Sequence, residues 1–600
     1  MSGERGRFTL SEVIDILDQN YAIPGNGEDS DIASDFSESD HELGEVPTDG
    51  ETTAAALEDE EFEILEDLHA VDVVESDDED TRMTHPGRLP SYDFSETKWS
   101  EGQSEEQFQR GEFRQEICPV SVLPCEASAL DFFHLLFTLN IVDVIVRETN
   151  KYALQCLASS GKNPSSFDKV TEIEMLAYLG LIIAMSLHPL HCIRDYWSTD
   201  WVLGVPTLAR IFTVARFETI TRYLHLNDNS KMPARGSPDF DKLYKVRPFL
   251  ESIRSNFITQ YMPHKQASVD EAMIKFKGRS SIKQYMPKKP IKRGIKMWCR
   301  ADSVSGYMCD FNICTGKTDK GVQHDLGFSV VTKLCSIIYG KWHEVFFDNF
   351  FTSLPLIQTL FTNKTISCGT LRSGRKEFPK EMYDKKSNNK LERGASIFRN
   401  KGPITAVTWM DNKVVNLVST LDIPSGSATR PIKRRKKDGE QAEVQCPHII
   451  TAYNKYMGGV DRNDQMASYY AIKCKSKKWW HRIFFELLNR SIVNSHILEL
   501  ESANHENRCL KDFRLELAKK LIGDFTAKKR LGRPSIDMPA RLTERHFPSL
   551  LPSNEKGRIK ERRCFVCSTK EKAKKTSYFC EDCGVGLCVA PCFRIHHTRR

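Results

Sequence analysis

A multidomain α+β protein, closed by a Cys/His metal module, is what this sequence predicts, on three observations. Apolar residues recur at helical spacing between Ala129 and Leu226. Three strands, a helix and a fourth strand then follow in order from Gln266 to Phe347. Six of the 18 cysteines fall within the last 37 residues.

Six hundred residues with 40% apolar content supply more than one core. The formal net charge of +4 hides an asymmetry: Glu28 to Asp80 holds 23 acids and no Lys or Arg, which leaves the remainder near +27. A basic body behind an acidic stretch suits a polyanionic partner, most simply nucleic acid. Residues 1–115 are expected to be disordered, because like charge with few apolar groups cannot offset the entropy of ordering. Within them, Phe8–Leu17 and Phe62–Val74 read as short amphipathic segments. A solvated tail, a mask for a basic groove and a docking segment all fit this region. Met1–Arg7 lacks the apolar core of a secretory signal, and the apolar run Leu176–Leu187 is too short to span a bilayer. Those features and the scattered remaining cysteines lead to the expectation of a soluble, intracellular protein with reduced thiols.

Residues 116–264 are expected to be helical, with helices over Ala129–Lys151, Glu172–Leu187 and Val214–Leu226, punctuated by Asp200, Asn227, Asp228 and Pro233. The strands begin in 265–370. Gln266–Phe276 alternates in polarity and carries Asp270 and Glu271, with Lys275, Lys277 and Arg279 crowded beside them as candidate DNA contacts. After a break at Pro287 and Pro290, Gly294–Ala301 and Gly306–Ile313 form a meander across the turn Asp302–Ser305. Asp325–Tyr339 follows as a helix. The apolar strand Glu344–Phe347 ends at Asp348, where open sheets place functional groups and where an Asx turn with Asn349 also fits.

Gly458 and Gly459 then break the chain before Asp461 and Asp464, which stand three apart and share one face of a helix. Acids also suit a helix start for its dipole. If Asp270, Asp348 and Asp461 meet at one sheet edge, they repel unless a cation lies between them, and hard oxygen ligands point to Mg²⁺ or Mn²⁺. Such ions promote in-line phosphoryl displacement, the chemistry of nucleases and strand transferases.

The stretches Ser268–Glu271, Phe346–Ser353, and Tyr453–Asn454 with Gly459–Met466 together resemble the three acidic motifs of piggyBac-type transposases. The likeness extends through Glu148–Tyr152, Tyr196–Thr199, Arg222–Leu226 and Lys245–Pro248 to the C-terminal cysteines, covering most of residues 130–600. What the resemblance implies is an RNase H-like catalytic core with a β-containing insertion, and a helical dimerisation and DNA-binding domain built from both sides of the core. It implies Asp270, Asp348 and Asp461 as catalytic, Mg²⁺-binding carboxylates, with Asp464 as an additional acid of the site. The implied activity is cut-and-paste transposition: a homodimer in the nucleus binds terminal inverted repeats, forms hairpin ends and inserts at TTAA. A host-adopted DNA-binding or chromatin protein without transposition is the alternative.

The insertion would span 371–451, where Ile404–Thr408 and Val414–Ser419 form a hairpin, followed by the basic run Arg430–Lys437. Within that run Lys433, Arg434 and Arg435 fit a phosphate contact, an import signal or a solvated loop. The core end and return to the helical domain occupy 452–500, where Trp479 matches the family's tryptophan and suits base stacking, with core packing as the competing reading. Residues 501–560 form a helical segment and basic linker. There Gly532–Pro534 resembles an AT-hook core, although a plain basic linker is the simpler explanation of a single Gly-Arg-Pro.

Residues 561–600 pair Cys564 with Cys567, Cys580 with Cys583, and Cys588 with Cys592, ahead of His596 and His597, at the spacing of tetrahedral zinc sites. The family resemblance implies a cross-brace with two zinc ions. The first and third cysteine pairs share one ion; Cys580, Cys583 and one or both histidines share the other, and the eighth ligand stays open. Arg562 and Arg563 flank the module as DNA contacts.

Overall fold

The computed structural model describes residues 92–598, except 96, 102–109, 288, 317–325, 373–374, 376, 385–390, 422–428, 436–440, 474–475, 503–507, 527–545 and 555–556. The acidic region to residue 91, Asp325, Lys436, Lys437 and Gly532–Pro534 therefore lie outside the described residues.

The helical part opens with α1 (Ala129–Leu136) and α2 (Leu139–Ser159). One continuous helix from Ala129 to Lys151 was expected, but the chain breaks at Phe137 and restarts from Thr138, which caps α2 in an extended conformation. Apolar periodicity runs across this break, so it conceals it. Next come α3 (Glu172–Leu187), whose cap Thr171 accepts from Glu174 N–H, and α4 (Val214–Tyr223), capped in the same way by Thr213. The last of the group is α5 (Arg247–Thr259).

The sheet part contains β1 (Gln266–Lys275), β2 (Lys283–Tyr285), β3 (Arg293–Asp302), β4 (Met308–Ile313), α6 (Leu326–Cys335), β5 (Glu344–Phe347), α7 (Leu354–Thr362) and β6 (Ile366–Thr370). It continues in β7 (Ser396–Lys401), β8 (Ile404–Met410) and β9 (Val414–Ser419). The hairpin of β8 and β9 belongs to the expected β-containing insertion. Here β9 pairs with β6, and the order β7-β8-β9-β6-β5-β1-β3-β2 makes one sheet of ten strands, with β4 beside β3 and Ser100–Glu101 beside β7. Among the described strands, only the pairs β1–β5 and β5–β6 are parallel. The basic run Arg430–Arg435 lies within β10 (Thr429–Arg435), paired with β11 (Gln441–Pro447), so its described part is a strand and not a loop.

Four helices return the chain across the sheet: α8 (His448–Tyr456), α9 (Gly459–Tyr469), α10 (Trp479–Leu500) and α11 (Leu510–Ile522). Strand alternation divides β1 between two cores. Ala272 and Ile274 join the core of α1 to α5, α10 and α11, whereas Val269 joins the core of α6 and α7 on the other face. Residues Ser268 and Asp270 share the parity of Ala272 and so belong to the face covered by α9 and α10. Among the described residues no single helix is long and apolar enough to cross a membrane.

Candidate active site and metal centres

Parallel register sets the acids side by side. Val269 of β1 faces Phe347 of β5, so Asp270 and Asp348 occupy the next position on adjacent strands, on the same face. Phe350 N–H donates to Asp348 Oδ1 at 2.9 Å, so the Asx turn expected as the plain reading is present and orients the carboxylate. Glu271 N–H donates to Asp270 Oδ1 at 2.7 Å.

The third acid arrives on α9. Its first turn approaches β1 so closely that a Cβ on Gly459 would meet Ser268 Oγ at 2.5 Å and the Asp302 carbonyl at 2.8 Å. Val460 N–H donates to Ser268 Oγ at 3.2 Å, and Asn463 Nδ2 donates to the Gly306 carbonyl at 2.9 Å. These contacts hold the first turn of α9, which carries Asp461, against β1. Asp464, one turn on, faces Arg490 of α10 at 2.7 Å. Arg490 is buried, and it also donates to Asn463 Oδ1 and Glu486 Oε1, both at 2.8 Å.

Electrostatics ties the set together through Lys289, in the loop between β2 and β3. Its Nζ lies 3.7 Å from Asp270 Oδ2 and 3.8 Å from Glu271 Oε1. Burial alone would lower the ammonium pKa, but Asp270, Glu271, Asp461 and Asp464 together raise it. Burial pushes the Asp270 carboxyl up to about 7 against the pull of Lys289, and Glu271 and Asp348 add repulsion. Asp348 is raised by burial and by Glu271, against the Phe350 N–H bond and Lys289. Asp270 and Asp348 are desolvated, mutually repelling carboxylates, which is chemistry that fits a hard divalent cation. Among the described residues the acids do not form a group whose oxygens all lie within 4.8 Å of one another, and Lys289 stands among them.

Two Cys/His groups do meet that distance: Cys564, Cys567, Cys588 and Cys592 form one, and His546, Cys580, Cys583 and His597 the other. The first joins the first and third cysteine pairs. In the second, His546 fills the place left open for the eighth ligand, and His596 belongs to neither group. Cys567 and Cys588 sulfurs stand 3.7 Å apart, close to the roughly 3.8 Å edge of a tetrahedron with Zn–S near 2.3 Å. His546 Nδ1 lies 3.2 Å from Cys580 Sγ, and His597 Nε2 lies 3.4 Å from Cys583 Sγ. His597 Nδ1 donates to the Phe593 carbonyl at 2.8 Å, which leaves the Nε2 lone pair facing the group. His546 precedes Cys580 by 34 positions and lies before residue 561, where the cysteine spacing placed the start of the module. The strand Pro548–Leu550 brings it back by pairing with Tyr578–Cys580.

The proposed DNA contacts fall in several places. Lys275, Lys277 and Arg279 are exposed at the end of β1, and Arg562 and Arg563 are exposed on a two-residue strand paired with Lys575–Thr576. Lys433 is exposed on β10, whereas Arg434 bonds Asp411 at 3.2 Å and lies over Trp409. Arg435 ends β10. Trp479 is half-buried, packs against the helical core and meets Trp480 edge-on at 5.9 Å, so packing accounts for part of its surface. Sequence reasoning passed over Lys289, Arg490 and His546. The first two looked like any other basic residue, and the His546 signal was a histidine just before a strand pairing with a cysteine strand.

A family model described as transposase IS4 matches residues 128–496. PiggyBac transposable element-derived protein 3 of Homo sapiens is 28% identical over 473 residues, covering 76% of this chain and 74% of its own. PiggyBac transposable element-derived protein 2 of Homo sapiens is 28% identical over 383 residues, covering 62% of this chain and 61% of its own. Among solved structures, a chain from the cryo-EM structure of a piggyBac transposase synaptic complex with hairpin DNA superposes with a TM-score of 0.61 at 24% identity. That match covers 77% of this chain and 95% of the other, and shows a shared fold.

Proposed function

This chain belongs to the piggyBac transposase family, and from that membership we propose that it is a DNA transposase that cleaves and joins strands with Asp270, Asp348 and Asp461. The observation that carries the reading is the side-by-side placement of Asp270 and Asp348 with α9 bringing Asp461 to the same face. Mg²⁺ or Mn²⁺ held there would activate an attacking oxygen and stabilise the leaving oxygen of a phosphodiester. The chain's own residues supply the rest. Asp270 on β1 and Asp348 directly after β5 offer carboxyls that burial raises, so a bound cation would stabilise their charged forms. Arg490 holds Asp464 and Asn463, and so fixes the helix that presents Asp461.

In this reading the sheet with its covering helices is an RNase H-like core, the helical part and both metal groups serve DNA binding, and the protein acts as a nuclear homodimer. Zn²⁺ fills the two Cys/His groups, since four thiolates, or two with two imidazoles, match its preference. Exposed Lys275, Lys277, Arg279, Arg562 and Arg563 meet phosphates of terminal inverted repeats. Cleavage through hairpin ends and insertion at TTAA complete the proposal.

A second reading has support in the names of the human relatives, which describe transposable element-derived proteins. A host-adopted protein would keep the fold and DNA binding without transposing. The experiment is strand cleavage by the purified full chain with Mg²⁺ on DNA bearing inverted repeats bordered by TTAA, taken from the flanking genome. Cleavage that Asp270→Asn abolishes while DNA binding persists supports the transposase. Binding without cleavage by the unaltered chain supports the second reading, and absence of both overturns each.

A further inference from the structure

Among the described residues, Lys289 lies within 4 Å of both Asp270 and Glu271 and also feels Asp461 and Asp464. It is held there loosely. At 3.7 Å and 3.8 Å, both carboxylate contacts exceed the roughly 2.7–2.9 Å of a directed charge-assisted hydrogen bond. Its hydrogen bond of 3.3 Å goes to the Glu271 carbonyl. The side chain is 27% exposed, so its flexible stem has a path to solvent. The neighbouring Lys296 also pairs with Glu271, at 4.0 Å, but it is buried, with its ammonium 3.7 Å from the Trp298 ring centre and 5.0 Å from that of Phe350.

We propose that Lys289 is the internal cation of the acid site, occupying the ground a divalent ion takes, so that ion entry and withdrawal of Lys289 are a single exchange. This rests on the reading of Asp270, Asp348 and Asp461 as ion-holding carboxylates. Without an ion, Lys289 offsets the repulsion that desolvation makes costly; with one, its charge opposes binding. Lys289 is thus a positioning residue that sets the ion concentration at which the site assembles.

The test is calorimetric titration of Mn²⁺ into the zinc-loaded full chain, alongside thermal unfolding. Lys289→Met is expected to bind Mn²⁺ on the order of tenfold more tightly, because no ammonium has to leave. Its ion-free form should melt below the unaltered protein and gain more from added Mn²⁺. Lys289→Arg, which keeps the charge, should bind no more tightly than the unaltered protein. Equal or weaker Mn²⁺ binding by Lys289→Met, with binding abolished in Asp270→Asn, overturns the exchange and leaves the acid reading standing. Unchanged binding in Asp270→Asn overturns the acid reading, and the exchange with it.

Discussion

The backbone N–H of Val460 donates to the buried hydroxyl of Ser268 at 3.2 Å, joining the helix of the third acid to the strand of the first. Gly459 permits the approach, since any Cβ there would meet that hydroxyl at 2.5 Å and a backbone oxygen at 2.8 Å. Gly459→Ala is expected to push α9 off β1 and cost about 1–3 kcal/mol in urea unfolding. Strand cleavage should fall further than that loss explains, because Asp461 moves with the helix.

Arg490 gathers Asp464, Asn463 and Glu486 from within the helical core. Arg490→Met leaves those partners without their cation and is expected to destabilise by about 3–5 kcal/mol. Asp464→Asn keeps one acceptor oxygen for Arg490 and should cost only about 1 kcal/mol. Paired urea titrations of the two variants check the ordering.

Burial lowers His225 and His343 to about 4 and His481 to about 3, against an ordinary value of 6.5. Folding therefore favours their neutral forms. That contribution is fully present above pH 6.5 and is lost as pH falls toward 4, because the unfolded chain takes up the protons first. Stability should drop across this window by on the order of 2–3 kcal/mol per histidine. Comparing pH 7.5 with pH 5 denaturation for the unaltered chain and His481→Gln isolates one share, and the variant should show the shallower decline.

Metal content distinguishes His546 from His596. His546→Ala removes a member of the second Cys/His group and should leave about one zinc per chain by mass spectrometry, whereas His596→Ala should retain two. Retention of two ions in His546→Ala would return the place to His596.

What could be read beforehand followed the range of each interaction. Alternation around Asp270 and the turn at Asp302–Ser305 are local, and β1, β3 and β4 lie where they point. Pairing of β9 with β6 joins residues about fifty positions apart, and nothing in either strand names its partner. Arg430–Lys437 reads as a charge run because the strand character of its described part, Arg430–Arg435, depends on Gln441–Pro447 opposite. The helix break at Phe137 stayed hidden because both flanking helices carry one apolar stripe into the same core. Cysteine spacing located the six cysteines of the two groups and the resemblance offered His597 beside His596, while His546 reaches its group only through a strand pairing.

In the proposed reaction Asp348 holds the ion that acts on the phosphodiester. Asp348→Cys replaces a hard oxygen with a soft sulfur, and cleavage of terminal-repeat DNA by this variant should vanish in Mg²⁺ and return in Mn²⁺ or Cd²⁺. Cleavage in Mg²⁺ at the unaltered rate would contradict it.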